Sequence, residues 1–302
     1  MAYHNSVLLD EAVDALAIRP GGTYVDATFG GGGHSRAILE RLESGKLIAF
    51  DQDEAATENL PDDERILFLN HNFRYIKNLL RYHGHIPVDG ILADLGVSSH
   101  QIDEASRGFS TRYDGPLDMR MNKDAPLSAS DVVNTYEADR LAGIFYHYGE
   151  LKQARKIASV IEEQREQGPF QRTGEFADAI KHLAPRGREH KFMAQVFQAL
   201  RIEVNKELDA LKTFLEQSYE VLSSGGRLVV ISYHSLEDRL VKNYMKTGNF
   251  GGQLKKDFYG HPLTPWEPVG KVIKPDSSEI AENKRARSAR LRVAVKKQDY
   301  ES

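Results

Sequence analysis

The chain has 302 residues, room for one large domain or two ordinary ones at ~150 residues each. With 40% hydrophobic and 28% charged residues and no cysteine, it can bury a sizeable core, which excludes wholesale disorder, disulfides, thiolate metal sites and a cysteine nucleophile. A net charge of −4 does not mark a nucleic-acid binder, so any such surface must come from local clustering. No apolar run nears the ~18 residues of a membrane-spanning helix, and Met1-Ala2-Tyr3-His4 does not open a secretory leader, so a cytoplasmic location is expected.

In chain order, Thr23–Ala27 predicts a strand running into the glycines Gly30–Gly33, then a helix over about His34–Leu42. Lys46–Asp51, Arg65–Leu69 and Val88–Asp94 read as further buried strands. A short helix over Glu54–Leu60, stopped by Pro61, and a helix over Phe73–Tyr82 separate them. This alternation predicts an α/β fold with a parallel, doubly wound sheet. From Asp94 to Gly226 roughly 130 positions carry no convincing strand, far beyond an ordinary crossover. Helices are expected at Ser130–Tyr148, Glu150–Gln167 and Thr173–Leu183, so about 105–189 reads as an all-helical insertion between 1–104 and 190–302. One long amphipathic helix should carry Phe197, Leu200, Val204, Leu208, Leu211, Leu215 and Leu222, ended by Ser223-Ser224-Gly225-Gly226. Arg227–Ser232 resumes the sheet, a helix starts near Ser235, and Leu291–Val295 is a late strand.

Chemistry concentrates at the first turn. In Asp26-Ala27-Thr28-Phe29-Gly30-Gly31-Gly32-Gly33-His34 a strand becomes a helix through glycines, which let backbone approach a ligand closely. Asp51 follows Gly30 by 21 positions, the spacing of a carboxylate that grips ribose hydroxyls. Asp26 before the glycines disfavours a nicotinamide oxidoreductase. The pattern Asp-x-Thr-x-Gly-x-Gly resembles the acid-glycine motif of class I S-adenosylmethionine-dependent methyltransferases, with Thr28 at the first glycine position. A strand-end carboxylate can answer that cofactor's ammonium, and glycine amides its carboxylate. Asp94 adds an acid on the same sheet edge.

Further motifs make the resemblance specific: His4-x-x-Val7-Leu8-Leu9, Thr28 through Ser35, Asp94-Leu95-Gly96-Val97-Ser98-Ser99, Arg107-Gly108-Phe109-Ser110, Asp114 through Met121, Tyr233 through Arg239, and Glu282-Asn283-x-Arg285-Ala286-Arg287-Ser288. Together they resemble the bacterial RsmH (MraW) family, which methylates a cytosine amino nitrogen in 16S ribosomal RNA. The resemblance implies a Rossmann-like class I methyltransferase domain over 1–104 and 190–302, with 105–189 meeting RNA. It implies that Gly32, Gly33, His34, Asp51, Phe73, Asp94 and Gln101 line the S-adenosylmethionine pocket, alongside Asp26 and Gly30. The substrate it implies is an assembled small ribosomal subunit; oligomeric state is left open.

Methyl transfer to an amine delocalised into a base needs alignment and a hydrogen-bond acceptor. The Pro-Pro-aromatic loop common in amino-methyltransferases is absent after Asp94, so Asp94, a carbonyl of Leu95 or Gly96, or His234 and Asp118 on the substrate side are the candidates. Arg120, Arg186, Arg188, Arg285 and Arg287 are candidate phosphate contacts, the last two in a segment, Lys284–Lys297, with seven positive charges and no acid. Arg290 and Arg292 should lie on the solvent face of the late strand. No metal site is expected. The rival readings are a nicotinamide oxidoreductase and a ribosome-assembly or RNA-binding protein with a vestigial cofactor fold.

Overall fold

The computed structural model describes residues 6–298, so His4 of the first motif lies outside the described residues. The elements run α1 (Leu9–Ala15), β1 (Thr23–Asp26), α2 (Gly33–Arg41), β2 (Lys46–Phe50), β3 (Ile66–Leu69), α3 (Ile76–Tyr82) and β4 (Val88–Asp94). Six helices follow: α4 (Ser99–Asp103), α5 (Ala129–Thr135), α6 (Ala138–His147), α7 (Ala154–Arg165), α8 (Thr173–Ile180) and α9 (Glu189–Asn205). Then come α10 (Glu207–Val221), β5 (Leu222–Ser232), α11 (Ser235–Thr247), β6 (Lys255–Lys256), β7 (Pro262–Leu263), β8 (Trp266–Pro268), α12 (Ser277–Glu282) and β9 (Arg290–Lys296). Two compact units result, one up to Gly96 and from Leu208 onward, the other Val97–Glu207.

The first unit is built on a seven-stranded sheet of order β3-β2-β1-β4-β5-β9-β8. Strands β1 to β5 are parallel; β9 runs antiparallel to β5, and β8 to β9. Period-two alternation divides its side chains between two faces. Val25, Ile48, Ile91, Ala93, Leu228 and Val230 face Leu211, Phe214 and Leu215 of α10 and Val241 of α11. Tyr24, Leu47, Leu92, Val229 and Ile231 face Ala12 and Val13 of α1 and Ile38 and Leu39 of α2. Burial on both faces explains why these strands read as continuous apolar runs. The expected strand bounds hold to within a residue, except that β5 opens at Leu222, so Ser223–Gly226 belong to the strand instead of ending a helix.

The second unit buries Val132, Leu141, Phe145, Ile157, Ile161, Phe176, Phe192, Val196, Leu200 and Val204 around one core. It is wider than the 105–189 read from sequence, because the apolar stripe of α9 belongs to this core. The single amphipathic helix expected through Leu222 is two helices. Lys206 sits at φ 50°, and Asn205 turns aside to donate to the Met119 carbonyl (2.8 Å) and accept from the Met121 amide (2.8 Å). Similarly, Ser130–Tyr148 divides into α5 and α6, where the Arg165 guanidinium takes up the Val133 and Tyr136 carbonyls at the end of α5. Among the described residues, no helix is long and apolar enough to cross a membrane.

Candidate active site

Strands β1 and β4 are neighbours, yet β1 connects onward to β2 on its other side. The carboxyl ends of β1 and β4 therefore flank the point where the strand order reverses, the ligand crevice of open α/β sheets. Asp26 and Asp94 end those two strands. The loop between β1 and α2 needs its glycines: Gly30 and Gly32 have φ of 53° and 76°, and a Cβ on Gly32 would lie 2.8 Å from the Phe29 ring. A Cβ on Gly31 would meet nothing within 4 Å, so the loop opens to free space there. The loop carbonyls are tied backwards, Gly30 to the Asn59 amide (3.2 Å) and Gly31 to the Arg36 guanidinium (2.8 Å).

Three carboxylates surround this loop. Asp26, 1% exposed, accepts from the Ser35 hydroxyl (2.7 Å) and the Thr28 amide (3.1 Å). Asp51 accepts from the amides of Gly30 (2.7 Å) and Asp53 (2.8 Å), clamping the loop to the end of β2. Asp94 accepts from the Tyr233 hydroxyl (2.7 Å) and lies 3.9 Å from Nδ1 of His34, whose Nε2 is 3.2 Å from the Val7 carbonyl. The Asp94 amide donates to Thr28 Oγ1 at 2.6 Å. Burial lifts all three carboxyls from 3.8 to about 6, against the opposing pull of their hydrogen bonds and, at Asp94, of His34. Burial and the adjacent Asp94 charge push the Tyr233 phenol well above its usual range, so it stays a donor.

These partners are hydroxyls, amides and an imidazole, so a ligand bearing positive charge would relieve the desolvation that lifts the carboxyls. S-adenosylmethionine carries two cationic groups, a sulfonium and an ammonium, and its ribose hydroxyls suit a strand-end acid. The residues present fit that cofactor. Gly30, Gly32, Gly33, His34, Asp26, Asp51 and Asp94 are brought together as the sequence led us to expect. Phe73 opens a short turn before α3 and packs its ring edge-on against Phe214, 5.0 Å between centroids. Gln101 lies in the second unit, buried, its Oε1 accepting the Ser98 amide in the capping box of α4.

The substrate-side candidates fall into different settings. His234, largely buried, is the N-cap residue of α11, which starts at Ser235. Glu237 accepts the Tyr233 amide at 2.9 Å and stands 3.1 Å from His234 Nε2. Asp118 and Arg120, in the second unit, form a two-pronged ion pair at 2.7 and 2.8 Å; burial raises the Asp118 carboxyl, but Arg120 outweighs it and holds it below the usual range. Arg186 and Arg188 are exposed just before α9, Arg287 is exposed and Arg285 half-buried in the turn before β9. Arg290 and Arg292 do not simply face solvent: both bind Asp238 of α11, at 2.9 and 2.8 Å, because β9 lies against that helix. Sequence reasoning missed Tyr233 as a partner of Asp94, although it adjoins His234 in the same motif. It also gave no role to Asn59 or Arg36, which lie in unremarkable surroundings.

Comparison with known proteins accords with this geometry. The model of the MraW methylase family matches residues 1–297. Ribosomal RNA small subunit methyltransferase H of Bacteroides fragilis (strain YCH46) is 60% identical over 297 residues, covering 98% of both chains. The proteins of that name from Flavobacterium johnsoniae and Cytophaga hutchinsonii are 56% and 54% identical, over 98% and 97% of this chain. A solved rRNA methylase from Streptococcus thermophilus aligns over 99% of each chain at 13% identity with a TM-score of 0.42, too low to add to the family match. The acid-flanked glycine turn at the sheet's reversal point and a match running nearly end to end lead to one assignment: the chain belongs to the MraW methylase family.

Proposed function

We propose that this chain methylates the exocyclic amino nitrogen of a cytosine in 16S ribosomal RNA, within the small ribosomal subunit and in the cytoplasm. The observation that carries the reading is the trio of carboxylates gathered around the glycine turn, in a chain of this family. S-adenosylmethionine, when bound, supplies an electrophilic methyl group for in-line displacement. Gly30–Gly33 and Asp26 would hold its amino-acid end, Asp51 its ribose, and Phe73 its adenine.

The chain's own contribution is alignment and proton management. Cytosine's amino lone pair is delocalised into the ring, and an acceptor for its N–H helps that lone pair localise on nitrogen. Asp94 is suited to this: Tyr233 fixes Oδ1, and the carboxylate can accept the proton that the methylated nitrogen sheds. The Tyr233 phenol, held protonated, keeps the carboxylate aimed. His234 and Asp118 act on the substrate side, orienting the base or its flanking backbone. Arg120, Arg186, Arg188, Arg285 and Arg287 contact phosphates, and the second unit presents part of the RNA-binding surface. The base leaves its stack to react, which favours an unpaired region of RNA. Family membership leaves the oxidoreductase reading without support, and the retained acid trio argues against a vestigial fold.

The test is transfer of labelled methyl from the cofactor to small subunits that lack the modification, followed by nucleoside analysis. Label in N4-methylcytidine is expected; no label, or label in another nucleoside, overturns the reading. Arg285→Ala with Arg287→Ala should flatten the salt dependence of subunit binding by ~0.7–0.9 for each phosphate no longer neutralised, leaving cofactor affinity unchanged.

A further inference from the structure

Between α11 and β8 the chain projects a short arm that the site does not use. Its two strands, β6 and β7, pair over only two residues each, Lys255 with Leu263 and Lys256 with Pro262. Its tip carries Phe258 and Tyr259, 97% and 81% exposed; Phe258 is the most exposed large apolar side chain among the described residues. The two rings meet each other edge-on at 5.6 Å, and Tyr259 lies beside His261 at 6.4 Å. Lys255, Lys256, Lys271 and Lys274 are exposed along or just after the arm.

The arm is nevertheless built, not slack. Asp257 accepts the amides of His261 (2.8 Å) and Tyr259 (2.9 Å) and faces the His261 ring at 3.1 Å, and these bonds hold its carboxyl below the usual range. The one acid of the tip is thus engaged in shaping the turn, and the arm's outward charge is the lysines'. At the root, Asn249 bonds Gln253 in both directions, Phe250 stacks on Tyr244 at 5.1 Å, and Trp266 is fully buried. A hydrogen-bonded, packed root and a shaped turn hold two bare aromatic rings in water, a standing hydrophobic penalty that the fold itself does not require.

We infer that the 253–263 arm is a stacking platform for unpaired nucleotides of the RNA substrate, with bases on Phe258 and Tyr259 and phosphates at Lys255 and Lys256. Exposed rings beside lysines are the chemistry that takes up single strands without reading sequence. The inference rests on the RNA-methylating reading above and adds to it a contact remote from the reacting atoms. The arm leaves α11 at Gly248, and that helix starts beside Tyr233; its 13 residues span ~20 Å. The arm's root is therefore separated from Tyr233 by the length of that helix.

The experiment titrates the full-length chain into a labelled twelve-nucleotide oligocytidylate by fluorescence anisotropy across a salt series. Phe258→Ala with Tyr259→Ala should lower affinity by about fivefold or more per ring, with the salt slope unchanged. Lys255→Ala with Lys256→Ala should make the slope shallower by ~0.7 for each phosphate left without its lysine. Phe258→Trp with Tyr259→Trp should bind as tightly as the parent. Melting followed by far-UV circular dichroism, and cofactor affinity, should match the parent in all three. An alanine pair that binds RNA like the parent overturns the inference. So does a pair that keeps RNA affinity but loses self-association or vesicle binding, since the arm would then serve a second copy or a lipid surface. Parent-chain methyl transfer to unmodified small subunits is measured alongside. Its absence would remove the RNA-methylating reading, whereas normal transfer with unaffected arm variants would remove the arm alone.

Discussion

Replacing Tyr233 by Phe removes one hydroxyl from a pair that sequence reasoning did not connect. The phenol donates at 2.7 Å to Asp94 Oδ1, and the Asp94 side chain is 22% exposed, so water screens part of the interaction. A hydrogen bond to a charged group contributes ~1.5–3 kcal/mol, and partial exposure argues for the lower end. At ~1.4 kcal/mol per unit, losing ~1.5 kcal/mol moves the Asp94 midpoint upward by about one unit, from about 6 toward about 7. The stability consequence has a definite sign. An acid whose folded value is raised above 3.8 contributes stability that is fully present below that value and is lost as pH rises through the folded value. In the variant that loss should continue through about pH 7, so the variant's deficit against the parent grows between pH 6 and pH 8. Carbon-13 carboxyl titration of both proteins, with Asp94→Asn identifying the resonance, reads the midpoint directly, and denaturant unfolding at pH 5 and pH 8 reads the deficit. A midpoint that stays or falls, or a deficit equal at both pH values, would refute the role given to the hydroxyl.

Three further outcomes follow from the same geometry. Asp51→Ala should weaken S-adenosylmethionine binding roughly tenfold or more in calorimetric titration, through loss of a charge-assisted bond and of the clamp on the Gly30 amide; an unchanged dissociation constant would count against it. Gly32→Ala forces a side chain into φ 76° and against Phe29, so thermal or denaturant unfolding should show a loss of ~1–3 kcal/mol; parent-like stability would mean the turn relaxes freely. Asp238→Asn leaves Arg290 and Arg292 without their carboxylate and should lower stability by ~2 kcal/mol while sparing cofactor affinity; a variant as stable as the parent would mark the pair as solvent-screened.

Much of the first unit was legible because its physics is local. The strands are buried on both faces and therefore spell themselves as short apolar runs, and the glycine turn is needed where backbone must bend with positive φ. The acids Asp26, Asp51 and Asp94 could be found because two end strands and Asp51 directly follows one. What escaped prediction depends on partners distant in sequence. Nothing near Lys206 signals a helix break; Asn205 bonding to the 119–121 loop sets it. Arg290 and Arg292 alternate as a solvent face would, and only the position of α11 shows that Asp238 awaits them. The Tyr233–Asp94 bond spans 139 residues and leaves no periodic trace.

The parallel pairing of β4 with β5 fixes the order in which the chain can be completed. Asp94 ends β4 and Leu222 opens β5, so roughly 130 residues must be made between them, about 6–26 s at ~5–20 residues per second. For that interval the side of β4 that β5 will cover, with Ile91, Leu92 and Ala93 destined for the core, has no neighbour. A nascent chain in this state exposes an apolar strand edge, the feature most prone to pair with another copy. The intervening segment is helical, rich in near-neighbour contacts, and such segments fold fast. Its early collapse replaces a long flexible loop with a compact one, which lowers the entropy lost when β5 finally arrives. The helical unit thus serves the nascent sheet as a spacer.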